Sequence, residues 1–111
     1  MRFSIRLCGL VFLAAQACPA YAVTEADLDR MQASAAMLGK AIGCKIDVTP
    51  VAPGVNRWVD EKLPPGSPDN DNYGFRFGET AQRAQEYQAA HADSESCTKV
   101  KAEFDAFDWP K

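Results

Sequence analysis

The pairing of four cysteines constrains the fold of this 111-residue chain most strongly, and it depends on where the mature chain begins. The N-terminus has the layout of a secretory signal peptide: a positively charged start, an apolar run over residues 7–17, and the small-residue site Ala20-Tyr21-Ala22. The run is shorter than the roughly 20 residues that span a bilayer. We therefore predict a signal peptide over residues 1–22, cleaved between Ala22 and Val23, and a mature protein in the periplasm or the medium.

Cleavage removes Cys8 and Cys18 and leaves Cys44 and Cys97 in a single predicted domain, residues 23–111. Lipidation at Cys18 is an alternative, although the residues before it depart from a lipoprotein signal. Two cysteines in an exported chain predict one disulfide, since the compartments outside the cytoplasm are oxidising. The loop of about 54 residues that this bond closes is worth roughly 4 kcal/mol in chain entropy. A domain this small has little stability to spare, so the bond is predicted to be a condition of folding.

The charge of the mature chain excludes two classes of partner. Without the two arginines of the signal peptide it has ten Lys and Arg side chains against fifteen Asp and Glu, a sum of −5. The cations are scattered, whereas nucleic acids and anionic membranes require a basic patch. We expect no nucleic acid as a partner, and no membrane after cleavage.

Apolar spacing and capping residues predict helices in the first half of this domain. Thr24 is placed to cap a helix that ends near Gly43. The apolar positions of this helix form one stripe: Leu28, Met31, Ala35, Leu38 and Ile42. Pro53 suits the first turn of a short second helix, and the turn-rich residues 64–72 are predicted to form a loop.

Two further helices are predicted after that loop. The third covers about residues 73–90, with an inward face formed by Phe77, Ala81, Ala84 and Tyr87 or Gln88. The fourth begins near Ser94 and ends before Pro110. A disulfide from the end of the first helix to the start of the fourth would place these two side by side and antiparallel. The predicted fold class is therefore all-α, a small bundle of three to four helices stapled by one disulfide.

No pattern in the sequence predicts catalysis or a cofactor. Redox C-x-x-C pairs, phosphate-binding glycine loops and the G-x-S-x-G nucleophile turn are missing. His91, the only histidine, is interpreted as a solvated cation near a helix end, since zinc usually takes several His or Cys ligands. We expect no metal and no enzyme. Asp69 and Asp71, which resemble the start of an EF-hand loop without its glutamate, remain calcium candidates, and the pair Asp60 and Glu61 leaves a carboxylate-based hydrolase as an alternative.

Aromatic side chains crowd into the second part of the mature chain. Most of them must form core in so small a domain, but Phe75 and Phe77 cannot share one helical face. We predict a binding patch among Trp58, Phe75 and Trp109, because exposed aromatic side chains mark interaction sites. The expected function is protein binding, as a subunit, adaptor or inhibitor of one partner. The identity of that partner and the oligomeric state stay open.

In overall plan the chain resembles the HdeA type of periplasmic acid-stress chaperone, which has a similar mature length, a helical body and one disulfide that closes a similarly long loop. The resemblance is architectural and involves no shared motif. It implies an alternative function in which acid loosens the domain, because protonation would take the side-chain charge from −5 to about +11. Carboxylates buried against the apolar stripes would favour this alternative, and Asp47 and Glu103 are the candidates.

The predicted disulfide generates a first test. We expect Cys44→Ser to lose most of its helical circular dichroism at 37 °C, because the reduced chain regains the conformational entropy that the bond removes. An unchanged melting temperature in this variant would contradict the prediction.

Overall fold

A computed structural model describes residues 23–111; the predicted signal peptide, its cleavage residue Ala22, Cys8 and Cys18 lie outside the described residues. The described chain is all-helical, as predicted. Its four α-helices are α1 (Glu25–Gly43), α2 (Ala52–Lys62), α3 (Phe75–Ala90) and α4 (Ser94–Ala106). Within residues 23–111, none of these helices is long and apolar enough to cross a bilayer.

The predicted disulfide is present and sets the direction of α4. The sulfur atoms of Cys44 and Cys97 are 2.08 Å apart, and their Cα atoms are 5.5 Å apart. Cys44 directly follows α1, and Cys97 lies in the first turn of α4. Further from the bond, Lys40 Nζ lies 3.6 Å from Glu103 Oε1. Earlier residues of α1 therefore meet later residues of α4, so the two helices are antiparallel.

Helix α1 occupies the centre of the molecule and packs against the other three helices. One side of it contributes to a cluster of Met31, Ala35, Leu63 and Phe77. Another side contributes to a cluster of Met37, Ala41, Val100 and Phe104. Burial therefore extends beyond the predicted stripe, and it includes Ser34 and Gly39. Ile42, which the stripe predicts to be inward, is 40% exposed.

Glycine on α1 allows a close approach of α3. A Cβ atom at Gly39 would lie 2.8 Å from the Ala84 Cβ atom, and one at Gly43 would lie 2.8 Å from the Gln88 Cβ atom. Real side chains do not pack so tightly, so both positions require glycine unless the helices separate. Since later residues of α1 meet later residues of α3, these two helices run parallel.

The end of α1 combines a predicted and an unpredicted feature. The helix ends at Gly43 as predicted, but the left-handed residue of its cap is Lys45, with φ 61°. The Lys45 N–H donates to the Ile42 carbonyl (2.9 Å), and the Ile46 N–H donates to the Ala41 carbonyl (2.9 Å). These two bonds form a Schellman motif, which satisfies carbonyls at the helix end. Lysine accepts a backbone conformation that glycine adopts at lower cost.

The chain turns helical earlier than predicted before α3. Residues 64–67 form the expected turn, with Gly66 at φ 84°. The prediction of a loop over 68–72 is wrong, because helical backbone begins at Pro68 and passes through a π-helical turn, Asn70–Gly74, into α3. The Ser67 hydroxyl accepts a hydrogen bond from the Asn70 N–H at 3.1 Å. Ser67 thus acts as a helix cap with proline directly after it, a helix-start pattern that outweighs the turn-forming composition.

Two glycine substitutions test the close contact of α1 with α3. We expect Gly39→Ala to lower the melting temperature clearly, because its methyl group has no room beside Ala84. The matched control is Gly78→Ala on α3, where a Cβ atom would meet nothing within 4 Å. That change should stabilise the protein by up to about 1 kcal/mol through helix propensity. Thermal unfolding of both variants measures the difference, and equal melting temperatures would show that the contact is not tight.

Candidate functional site

An apolar groove of about 450 Å³ lies between α1, α2 and α3. Its volume is within the range of sites that bind small molecules or side chains of a partner. Each helix contributes apolar side chains to the lining: Met31, Ala35 and Leu38 from α1, Val55 and Val59 from α2, and Phe77 and Ala81 from α3. The groove is therefore built on regular helices that share the central hydrophobic cluster.

Two glycines line the groove. Gly74 ends the π-helical turn and Gly78 lies one turn later on α3, and both line the groove. A Cβ atom at Gly78 would project into open space. A large side chain at this position would therefore occupy the groove. The sequence signal for this wall was a pair of glycines at i and i+4 in a helix that otherwise carries longer side chains.

The rim of the groove is polar and includes one carboxylate. Asn56 and Asp60 lie one turn apart on α2, and both are exposed. Glu61 follows Asp60 in the chain but does not line the groove. Adjacent residues on a helix point about 100° apart, so the two acids face different directions. The predicted pair Asp60 and Glu61 therefore does not converge on a single reacting centre.

The structure separates the three predicted patch residues. Phe75 is 70% exposed, whereas Phe77 is buried, as expected for two residues that cannot share a face. Phe75 is three residues before Gly78, so it is a neighbour of the groove on the surface of α3. Trp58 is partly buried against the cluster around Met31.

Trp109 packs in the second cluster. Its indole N–H donates to the Phe104 carbonyl at 3.3 Å, and its ring lies 4.4 Å from the ring of Phe107. This tryptophan therefore closes the core at the C-terminal end of α4. Among the three predicted residues, Phe75 is the one whose side chain is mostly available to a partner.

The calcium candidates do not lie in an ion-binding loop. Asp69 and Asp71 lie in helical backbone, whereas an EF-hand requires a loop that curves around the ion. The Asp69 carboxylate instead accepts a hydrogen bond from the Val23 backbone N–H at 3.4 Å. Within residues 23–111, no group of three or more His, Cys, Asp and Glu side chains is arranged to hold a metal ion.

His91 lies at the C-terminal end of α3, where the sequence predicted a solvated side chain. It is exposed, and its Nδ1 atom lies 2.7 Å from the Tyr87 carbonyl oxygen. Its ring packs on the Tyr87 ring at 4.2 Å, and Tyr87 itself is 61% exposed. The inward residue of this turn is Gln88, which donates to the Ser96 hydroxyl at 2.7 Å and so ties α3 to α4.

No carboxylate of residues 23–111 is buried, and both candidates for burial lie at the surface. Glu103 is partly exposed beside Lys40. Asp47 is exposed and accepts hydrogen bonds from the Thr49 hydroxyl (2.7 Å) and the Thr49 N–H (3.0 Å). These hydrogen bonds lower the pKa of Asp47 below its usual value of 3.8 because they stabilise the charged form. Neither candidate, Asp47 or Glu103, is therefore a carboxylate buried against the apolar stripes.

Comparison with known proteins gives no relative from which to transfer a function. No known family matches the chain, and neither a curated protein nor a solved structure is significantly similar to it.

The Asp47 side chain generates a pH prediction. Because its pKa is lowered in the folded protein, its contribution to stability is present above pH 3.8 and is lost as the pH falls through the folded pKa. Thr49→Val removes the hydroxyl donor and should raise the pKa toward its usual value. Carboxyl ¹³C NMR titration of Asp47 measures this change. Thr98→Val is the control, since the Thr98 hydroxyl bonds a backbone carbonyl and no carboxylate; equal shifts in both variants would contradict the assignment.

Proposed function

We propose that this protein is exported and acts by binding a protein partner, without catalysis, through the groove between α1, α2 and α3. The observation that carries the proposal is an open, apolar groove on a rigid helical framework. Its apolar floor and polar rim have the composition of a protein-binding site. The exposed ring of Phe75 beside Gly78 extends the apolar surface beyond the groove.

The charges indicate which partner segment would fit. Asp60 lies on the rim, and side chains over residues 23–111 sum to −5. A segment with bulky apolar side chains and a neighbouring Lys or Arg would place its apolar groups on Met31 and Phe77 and its cation near Asp60. An amphipathic helix is a common form of such a segment, because residues at i, i+3 and i+4 share one face. The protein would then act as a subunit, adaptor or inhibitor of the partner that carries this segment.

An acid-stress chaperone of the HdeA type is the second candidate, and the ion pairs of α1 favour it. Lys62 lies 3.7 Å from Asp27, Lys40 lies 3.6 Å from Glu103, and the Arg30 guanidinium lies 3.6 Å from Asp108. Each pair joins α1 to another part of the chain, and acid would break all three. Such exposed pairs contribute only about 0–1 kcal/mol each, and the disulfide stays intact in acid. This candidate therefore ranks second.

A defined peptide tests the groove directly. The probe is a synthetic amphipathic helix of leucine and lysine, titrated into oxidised protein while methyl NMR signals of Leu38, Val55 and Val59 are followed. We expect these signals to shift at neutral pH. Gly78→Leu should weaken binding at least tenfold, about 1.4 kcal/mol, by occupying the groove, while its melting curve confirms that it folds. Shifts spread evenly over the surface would contradict the proposal.

A charge reversal separates groove binding from general attraction. Asp60→Lys should weaken binding of the cationic peptide. Glu61→Lys makes the same charge change at the next residue, which lies outside the groove, and should have little effect on this binding. The same variants then serve in affinity capture from an envelope extract at pH 7 and near pH 3. One stoichiometric partner at pH 7, lost with Gly78→Leu and kept with Glu61→Lys, supports the binding module. Many clients captured only in acid would support the chaperone instead.

A further inference from the structure

Val23, the residue before the N-cap of α1, contacts a distant segment. The Val23 nitrogen lies 3.4 Å from Asp69 Oδ2, a partly buried contact between residues 46 apart in sequence. The Val23 side chain also packs against the hydrophobic cluster of Met31, Ala35, Leu63 and Phe77. Val23 is therefore held both by its side chain and by its backbone nitrogen.

The Asp69 carboxylate, which contacts this nitrogen, lies at the start of a helical segment. Asp69 lies in the first turn of the helical segment that Ser67 caps, where a negative charge is favourable. Asn70, the next residue, donates from its side-chain amide to the Leu63 carbonyl at 3.0 Å. These two bonds hold the residues on either side of Asp69 in the connection between α2 and α3, which leads five residues later to Gly74 on the groove wall.

Cleavage of the signal peptide would change the chemistry of this contact. Hydrolysis of the Ala22–Val23 bond by a signal peptidase adds one water: Ala22 leaves with a carboxylate, and the Val23 nitrogen becomes an amine that takes up the proton. In the precursor this nitrogen is a neutral amide with one hydrogen. In the mature chain it is an ammonium with three donors and a full positive charge beside a carboxylate.

We infer that signal-peptide cleavage creates an ion pair between the Val23 ammonium and Asp69 that fixes the N-terminus to the α2–α3 connection and stabilises the mature fold. The inference rests on the proposed export of the protein. It links processing to the groove, since the connection that receives the new charge forms part of the groove wall. The mature chain gains this pair and the precursor lacks it.

An opposing effect acts at the same place. A positive charge just before α1 is unfavourable for the helix dipole. Glu25 and Asp27 in the first turn of α1 offset that effect, and Asp27 accepts from the Thr24 N–H. Lys62, the nearby cation at the end of α2, is already paired with Asp27. Asp69 is the carboxylate that contacts Val23 directly, so it supplies the attraction that fixes the terminus.

The ion pair predicts a dependence on alkaline pH. The α-amino group usually has a pKa near 7.7–8.0, and a partner carboxylate raises it in the folded state. Its stabilising contribution is therefore fully present below that unfolded value and is lost as the pH rises through the raised folded pKa. The charged side chains near this site are Asp69, Asp27 and Lys62.

The experiment compares four forms of the oxidised chain from Val23 to Lys111: a free amine, an acetylated amine, Asp69→Asn with a free amine, and Asp69→Asn with an acetylated amine. Urea unfolding at pH 7 and ¹⁵N NMR titration of the α-amine are the measurements. We expect the free amine to titrate about one pH unit above its usual value, a tenfold shift in its acid constant, and to return to the usual value in Asp69→Asn. Acetylation and Asp69→Asn should each lower the urea midpoint, and their combination should add little, because both remove one interaction.

Asp71→Asn is the matched control, because Asp71 is an exposed carboxylate two residues further along the same segment. It should leave both the amine titration and the urea midpoint unchanged. An α-amine that titrates at its usual value, or equal effects of Asp69→Asn and Asp71→Asn, would overturn the inference. N-terminal sequencing of the exported protein is a separate readout: a start other than Val23 overturns the inference without bearing on peptide binding in the groove.

Discussion

The bond between Cys44 and Cys97 joins the end of α1 to the first turn of α4, and it limits how the other helices can be arranged. With those ends fixed together, α4 returns along α1 in the opposite direction. The connection from α3 to α4 is only residues 91–93, so the end of α3 must also lie near the bond. Helix α3 can meet this condition while packed on α1 only if it runs parallel to α1. One covalent link thus makes α1 the central helix, with a neighbour on several sides.

A central helix requires small side chains where a neighbour comes closest. Gly39 and Gly43 meet this need on the face toward α3, and Ala41 does so toward α4. The same type of residue has a different effect on α3. There, Gly78 faces open space, and the groove is open beside it. Glycine therefore brings two helices together at one interface and leaves an open groove at another.

Electrostatic contacts in this fold lie at its ends and edges rather than in its core. Within the described residues, the buried polar side chains are Ser34 and Gln88, and every carboxylate retains some exposure. Such a surface keeps these groups in contact with water, while the apolar clusters and the disulfide hold the fold. The contact between the Val23 backbone nitrogen and the partly buried Asp69 carboxylate also lies at such an edge, away from the core.

The sequence alone determined the local features, because each depends on a few adjacent residues. The Thr24 side chain caps α1 and Pro53 lies in the first turn of α2, as predicted. The predicted pairing of Cys44 with Cys97 is present as well. The periodic apolar residues also predicted three to four helices, and residues 23–111 contain four α-helices. Even the missed start before α3 has a local signal in Ser67 and Pro68.

Tertiary structure decided which faces meet, because a helical pattern states which residues are apolar but not how many neighbours a helix has. The sequence predicted a single apolar stripe on α1. In the folded protein α1 packs on several sides, which buries Ser34 and Gly39 and leaves Ile42 partly exposed. The roles of the glycines differ only through what lies opposite them. The groove, its rim at Asp60 and the contact of Val23 with Asp69 all join residues far apart in sequence. Spacing along the chain carries no information on such contacts, and only the folded arrangement defines them.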